Sequence, residues 1–229
     1  MVKAYDIPTL PLELDLEDKA VLKQCNLANR QLAELKGLVH TIPNESILLN
    51  TLTLQEAKDS SEVENIVTTQ DDLYKYELLD LPILYLSRYI TQTKGEYYHL
   101  IQAIRDGGGR LEDWRSWILY MLRGIETTAR HTIAIVNGIK ILMADYKRVL
   151  RPAFGKVYRH EMLNHLFCQP YTKIEYMVEA MSIKRLTATK YLDKIVDLGL
   201  LNKVKVGRTN YYINQKLVDL FVNHEEIQS

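Results

Sequence analysis

Three groups of residues in this sequence have the types and spacing to do chemistry. The first is Ser60, Glu64 and Asn65, in the polar stretch Gln55 to Asp72, QEAKDSSEVENIVTTQDD. The stretch has helical spacing, and residues four apart share one face of a helix. Glu64 would then project a carboxylate from the same side as the Ser60 hydroxyl, where it could pair with an arginine or block an anion site. A solvated helix surface would carry the same pattern. The second group is basic. Between Ser182 and Asn210 lie Lys184, Arg185, Lys190, Lys194, Lys203, Lys205 and Arg208, seven cations against the two acids Asp193 and Asp197. The third is Asp106-Gly107-Gly108-Gly109-Arg110, a glycine-rich run whose backbone amides could cradle an anion. As plain structure it is a loop between helices, and that reading is the stronger one.

The rest of the composition narrows the classes. The 229 residues are 47% hydrophobic and 25% charged, enough for a sizeable core in one or two domains. Basic and acidic residues balance at 29 each, so the chain as a whole is not steered to nucleic acid or membrane, and a basic footprint has to be local. Two distant cysteines, Cys25 and Cys168, point to a reducing compartment rather than a disulfide scaffold. No Cys/His cluster suggests a metal site. The most apolar short run, LLDLPILYL from Leu78 to Leu86, holds Asp80 and Pro82 and is far shorter than the ~18 residues of a membrane span. A soluble cytoplasmic chain without a membrane partner is the expectation.

The elements that must position these groups read as mostly helical. Residues 1–14 are expected as an extended arm, since Pro8 and Pro11 deny helix. Asp15 caps a helix to about Gly37 with an apolar stripe of Val21, Cys25, Ala28, Leu32, Leu35 and Val39. The stripe makes Cys25 a small buried hydrophobe. A turn follows near Glu45–Leu49, then a helix from Thr51 to about Asn65 and another from Gln70 to about Leu79, with Thr69 and Asp72 as its capping box. Pro82 opens PILYLSRYI as a helix; Gly95 separates it from a helix over Glu96–Arg105. The longest signal runs from Leu111 to about Leu150, where Arg151-Pro152 ends it. Its stripe of Ile118, Met121, Ile125, Thr128, Thr132, Ile135, Ile139, Leu142, Tyr146 and Val149 has heptad steps. His131 lies beside that stripe with no second ligand type, so it reads as solvated or hydrogen-bonded. Past Pro152 the order is a helix over Lys156–Cys168, one over Lys173–Met181 capped by Thr172, one over Ala188–Leu198 capped by Thr187, and a hairpin from LLNKVKV through GRTN to YYIN. That is the order of a winged helix, with the basic group on its recognition helix and wing, where cations contact phosphates by releasing counterions.

Three stretches together resemble one family. Glu45–Glu77, ESILLNTLTLQEAKDSSEVENIVTTQDDLYKYE, is similar to the N-terminal region of Fic-family protein adenylyltransferases. Leu78–Arg130 is similar to the segment that follows their catalytic core, and a C-terminal winged helix matches a common bacterial subgroup. The fold so implied is mainly α: a helical bundle plus a winged-helix domain, divided as residues 1–77, 78–152 and 153–229.

The resemblance implies AMP transfer from ATP to a protein hydroxyl, with magnesium, through H-x-F-x-D-G-N-G-R. In that motif the histidine is the general base, the aspartate holds the metal and the arginine binds the terminal phosphate. It also implies that Ser60, Glu64 and Asn65 are an inhibitory motif whose glutamate restrains that arginine. Glu64, Ser87 and Tyr89 then fall near the nucleotide, though helix packing explains Ser87 and Tyr89 as well. Yet none of the six histidines, His40, His99, His131, His160, His165 and His224, begins the motif. Fitting DGGGR to it would need histidine and phenylalanine where Gln102 and Ile104 stand. The family's core is therefore missing between about Glu77 and Leu78, and with it the main ligands of ATP and magnesium. Three functions follow as expectations: a relative without transferase activity, a DNA-binding regulator, and an inhibitor acting in trans on an intact Fic protein through Glu64. Apolar stripes left by the missing core make a homodimer a further expectation.

Overall fold

A computed structural model describes residues 15–50, 52, 79, 81, 83–107 and 110–223. The expected helices at 51–65 and 70–79, the arm at 1–14 and the Ser60–Glu64–Asn65 motif lie outside those residues, Leu52 and Leu79 excepted.

Helix α1 spans Lys19–Val39. Its cap is Asp18, whose carboxylate accepts from the amides of Ala20 and Val21. Asp15 instead takes the Glu17 amide in a local turn just upstream, which corrects the expected cap. Val21, Ala28, Leu32, Leu35 and Val39 are buried as the stripe requires, whereas Cys25 is only half-buried and accepts a weak bond from Asn29. Residues 45–50 are helical, as expected.

The segment from Pro82 corrects the reading more strongly. Residues 83–85 are not helical, and helix α2 starts five residues after the proline, at Ser87–Gln92. Ile83 and Leu84 are fully buried, so this apolar run crosses the core as irregular chain rather than lying on it as a helix. Helix α3, Lys94–Gly107, contains Gly95; the break falls at Thr93, whose hydroxyl donates to the Tyr89 carbonyl and closes α2. A glycine with no close neighbour costs a helix about 1 kcal/mol, which is not enough to end it.

Helix α4 runs 44 residues, Leu111–Phe154, and α1, α2 and α3 all pack against it. Pro152 sits inside its last turn instead of ending it. Proline's missing donor matters little that close to the end, and Phe154 rewards the extra turn by burying edge-on against Tyr191, centroids 5.3 Å apart. Gly155, at φ +52°, then stops the helix. The buried line on α4 passes through Tyr120, Gly124, Thr128, Thr132, Ile135, Ile139, Met143, Tyr146, Leu150 and Phe154. Most of these steps are four residues, so the line is not the expected heptad. Ile118, Met121, Ile125, Leu142 and Val149 flank it, half-buried. A straight helix that meets different neighbours along its length needs no supercoil to keep one seam inward.

Helix α1 packs along the first part of α4 and runs the same way. Asp18 pairs with Arg115, and Gln24 donates to Glu126 at 2.6 Å. Gly124 lets the Tyr89 ring of α2 lie against the α4 backbone; a Cβ there would be 2.8 Å from that ring.

Past α4, residues 155–157 form a short 3-10 turn, and helix α5 occupies His160–Cys168, later than expected. Then come strand β1 (Tyr171–Thr172), helix α6 (Ile174–Met181), helix α7 (Arg185–Asp197), strands β2 (Asn202–Val206) and β3 (Thr209–Ile213), and helix α8 (Gln215–Asn223). β1 and α8 were not foreseen. The sheet order is β1-β3-β2, antiparallel throughout. Thr172 is in β1 with its hydroxyl on His165, and Thr187 is inside α7, so neither caps a helix. The protein is mainly α, with its small sheet confined to this C-terminal part. A single core joins both parts, from Leu35, Ile47 and Ile83 through Ile139 to Leu163 and Tyr212.

Candidate functional site

Of the sequence-derived site residues, the structure describes Ser87, Tyr89 and the seven cations; Ser60, Glu64 and Asn65 lie outside the described residues. Ser87 is 2% exposed at the start of α2. Tyr89 lies on Gly124 and 5.2 Å from the Tyr120 ring, whose hydroxyl bonds Thr93 at 2.7 Å. The Tyr89 ring is engaged in packing α2 on α4. Burial raises the Tyr89 phenol above its ordinary range. His131 is hydrogen-bonded, as expected: its Nε2 is 3.0 Å from Arg88 Nη1.

In the DGGGR run Gly108 and Gly109 lie outside the described residues, and both charged groups of the run have side-chain partners. Gln102 donates to Asp106, and Arg110 forks onto Asp113 one turn into α4. Among the described residues no group of three or more histidine, cysteine, aspartate or glutamate side chains could hold a metal. No helix among them is long and apolar enough to cross a membrane.

The basic group is brought together on α7 and the hairpin, but not as seven equivalent cations. Helices α6 and α7 meet in a tight turn at Ser182, left-handed at φ 52°, with the Ile183 amide on the Val178 carbonyl. Arg185 crosses back to Glu175 of α6, an ion pair exposed on both sides. The Glu175 carboxyl is held below the usual carboxylate range, by its own backbone amide first and by Arg185 next. Lys194 donates to the Ala153 carbonyl at 2.6 Å and sits over the Phe154 ring, where a cation also suits the C-terminal end of α4. Lys203 pairs with Asp193 at 2.7 Å, tying β2 to α7, and that bond raises its ammonium pKa. The remaining four, Lys184, Lys190, Lys205 and Arg208, are exposed and carry no ion pair among the described residues. Beside them Leu186 is 69% exposed. Sequence counting could not have separated the two sets, because partners ten and forty residues away decide them.

Helix α7 is held to the rest by Ala188, Leu192 and Ile195 on its inner face. A second anchor lies below. The Tyr146 hydroxyl, fully buried, is 2.6 Å from both the Leu200 carbonyl and Asn214 Oδ1. Asn214 Nδ2 reaches the Leu166 carbonyl. One phenol thus ties α4 to the α7–β2 link and to Asn214 at the β3–α8 link, which in turn holds α5, and burial pushes its pKa up to about 12.

Comparison with protein families supplies two matches. Residues 22–82 match the family described as Fic/DOC family N-terminal. Residues 142–217 match the family described as protein adenylyltransferase SoFic-like, C-terminal domain. The chain is a relative of the Fic-family protein adenylyltransferases. The N-terminal match in this Fic-family relative takes in α1 and the Ser60–Asn65 motif. The C-terminal match begins inside α4 and takes in the Tyr146 anchor, α7 and the hairpin. Sequence reading missed that anchor; its only signal was that Tyr146 is the one aromatic residue in its stripe.

Proposed function

We propose that these 229 residues act as a Fic-family relative that does not itself transfer AMP. The observation that carries this reading is the lack of H-x-F-x-D-G-N-G-R in the sequence. Removing base, metal ligand and phosphate cradle together takes away the chemistry rather than slowing it. The loop nearest to that motif supports the reading, since its acid and its arginine are engaged by Gln102 and Asp113. The test is AMP incorporation from labelled ATP into the purified chain and co-expressed proteins. Background labelling is expected; incorporation above it would refute the reading.

A second reading is favoured by Lys184, Lys190, Lys205 and Arg208. They stand on the second helix of a helix-turn-helix and on the adjoining hairpin, as in a winged helix that binds duplex DNA. Four phosphate contacts give a log–log salt slope of about −3.6, against about −6 if all seven cations engaged. Fluorescence anisotropy with a duplex probe reads the slope directly. Lys184→Ala and Lys190→Ala should each flatten it by about 0.9. No binding at low salt would remove this reading. Inhibition in trans is separate from both: it would vanish with Glu64→Gly and ignore the lysines.

A further inference from the structure

The outer face of the small sheet is apolar and, among the described residues, uncovered. Register places Val204 opposite Tyr211, and Asn202 and Tyr171 each opposite Ile213, so these side chains share one face. Lys203, Lys205 and the buried Tyr212 lie on the other, against α7. The face forms a shallow groove of about 270 Å³ with Pro170 and Val218 at its side. Val204 is 41% exposed and Val206 60%. In the order β1-β3-β2, β2 is an edge strand, and all five of its residues are exposed. An open edge beside an apolar face is a template for one more strand.

The edge specifies what that strand must be. Its residues over the groove should be apolar, and those on the other side acidic, since Lys205 there carries no ion pair among the described residues. The chain contains such a sequence. In Leu10-Pro11-Leu12-Glu13-Leu14-Asp15 the leucines alternate with proline and acids. It cannot reach β2 of its own chain. Asp18 is fixed to Arg115 at the start of α4, while the Tyr146 bond to Leu200 marks where β2 begins. The 31 helical residues between Arg115 and Tyr146 span about 47 Å. The eight residues from Leu10 to Asp18 reach about 26–29 Å at full extension.

We infer that the Leu10–Asp15 segment of a second copy of this chain adds to the β2 edge, its leucines over Val204 and Val206 and Glu13 beside Lys205. Exchange of the two segments makes a two-fold dimer in which each copy both lends and accepts a strand.

The test is the oligomeric state of the full-length chain, by sedimentation velocity across a dilution series. A dimer is expected. Val206→Glu on the exposed strand and the pair Leu12→Asp with Leu14→Asp should each weaken it at least about tenfold, with helical circular dichroism unchanged. Glu13→Lys and Lys205→Glu should each weaken it, and the two together should restore it. A monomeric wild type overturns the proposal. So does a dimer that Val206→Glu breaks while the leucine and Glu13 changes leave it intact, which would assign the edge to another occupant. DNA binding scored on Val206→Glu and on the leucine pair, neither of which touches a cation of the basic group, separates this face from α7.

Discussion

Replacing Tyr146 by phenylalanine removes one oxygen from the best-connected point of the fold. The ring would keep its place, edge-on to Phe167 with centroids 5.1 Å apart, so the change isolates the hydroxyl. Asn214 Oδ1 would still accept from the Leu217 amide at 3.2 Å, but the Leu200 carbonyl would lose this donor. One orphaned buried acceptor costs about 1–3 kcal/mol. Taking about 2 kcal/mol, the melting temperature of a chain this size should fall by about 4–8 °C. Tyr120→Phe is the control. The Thr93 hydroxyl donates to the Tyr89 carbonyl, so the Tyr120 hydroxyl must be donating to Thr93; its loss leaves only the half-buried Thr93 oxygen without that donor, where water can replace it, and about 1 kcal/mol or less is expected. Calorimetry and urea titration read both. The alkaline limb adds a second readout. Burial favours the neutral phenol, so its contribution is complete below pH 10 and is lost as pH rises toward 12, because the unfolded chain gives up its proton first. The wild type should lose about 1.4 kcal/mol per pH unit more steeply than Tyr146→Phe over that window. A destabilisation no larger than that of Tyr120→Phe, with parallel alkaline limbs, would refute the anchor.

Three further outcomes follow from local geometry. His165 is half-buried beside Thr172, and desolvation pushes its pKa down to about 4, so wild-type stability should fall as pH drops from 6.5 toward 4, where only the unfolded chain gains the proton; His165→Gln should flatten that limb by up to about 1.4 kcal/mol per pH unit. Gly124→Ala should destabilise by about 1–3 kcal/mol in urea titration, although alanine is the better helix former, because the new methyl meets the Tyr89 ring. Ser182→Gly should stabilise by about 1 kcal/mol, since the turn between α6 and α7 holds serine at a left-handed φ.

Long amphipathic signals were legible because a stripe of six or more apolar positions leaves one packing solution. Thus α1 and most of α4 could be read from spacing, and the hairpin from its alternation and its GRTN turn. Boundaries were less so, where tertiary burial outweighed a local breaker. Phe154 carried α4 through Pro152, and the buried Ile83 and Leu84 held irregular chain where proline-first spacing pointed to a helix. Thr172 and Thr187 have the right type for caps, but strand pairing and the Arg185 start of α7 claimed them. In the basic group the residue types were visible and their pairing was not. Glu175, Asp193 and the Ala153 carbonyl come from other elements, and they decide which cations remain free.

The distance along the chain between α1 and its seat on α4 sets an order of events during synthesis. Asp18 and Gln24 meet Arg115 and Glu126 across 97 and 102 residues. At about 5–20 residues per second, α1 waits roughly 5–20 s after it is made before that surface exists. Its apolar stripe is exposed for that time, and loop closure over such a span is slow compared with local helix formation. The C-terminal unit has the opposite history, since its partners, Asn44 and Asn50 beside Cys168 included, are already made when it emerges. The first half of this chain therefore has the greater need of a chaperone, and slowing translation past Glu126 should not relieve it.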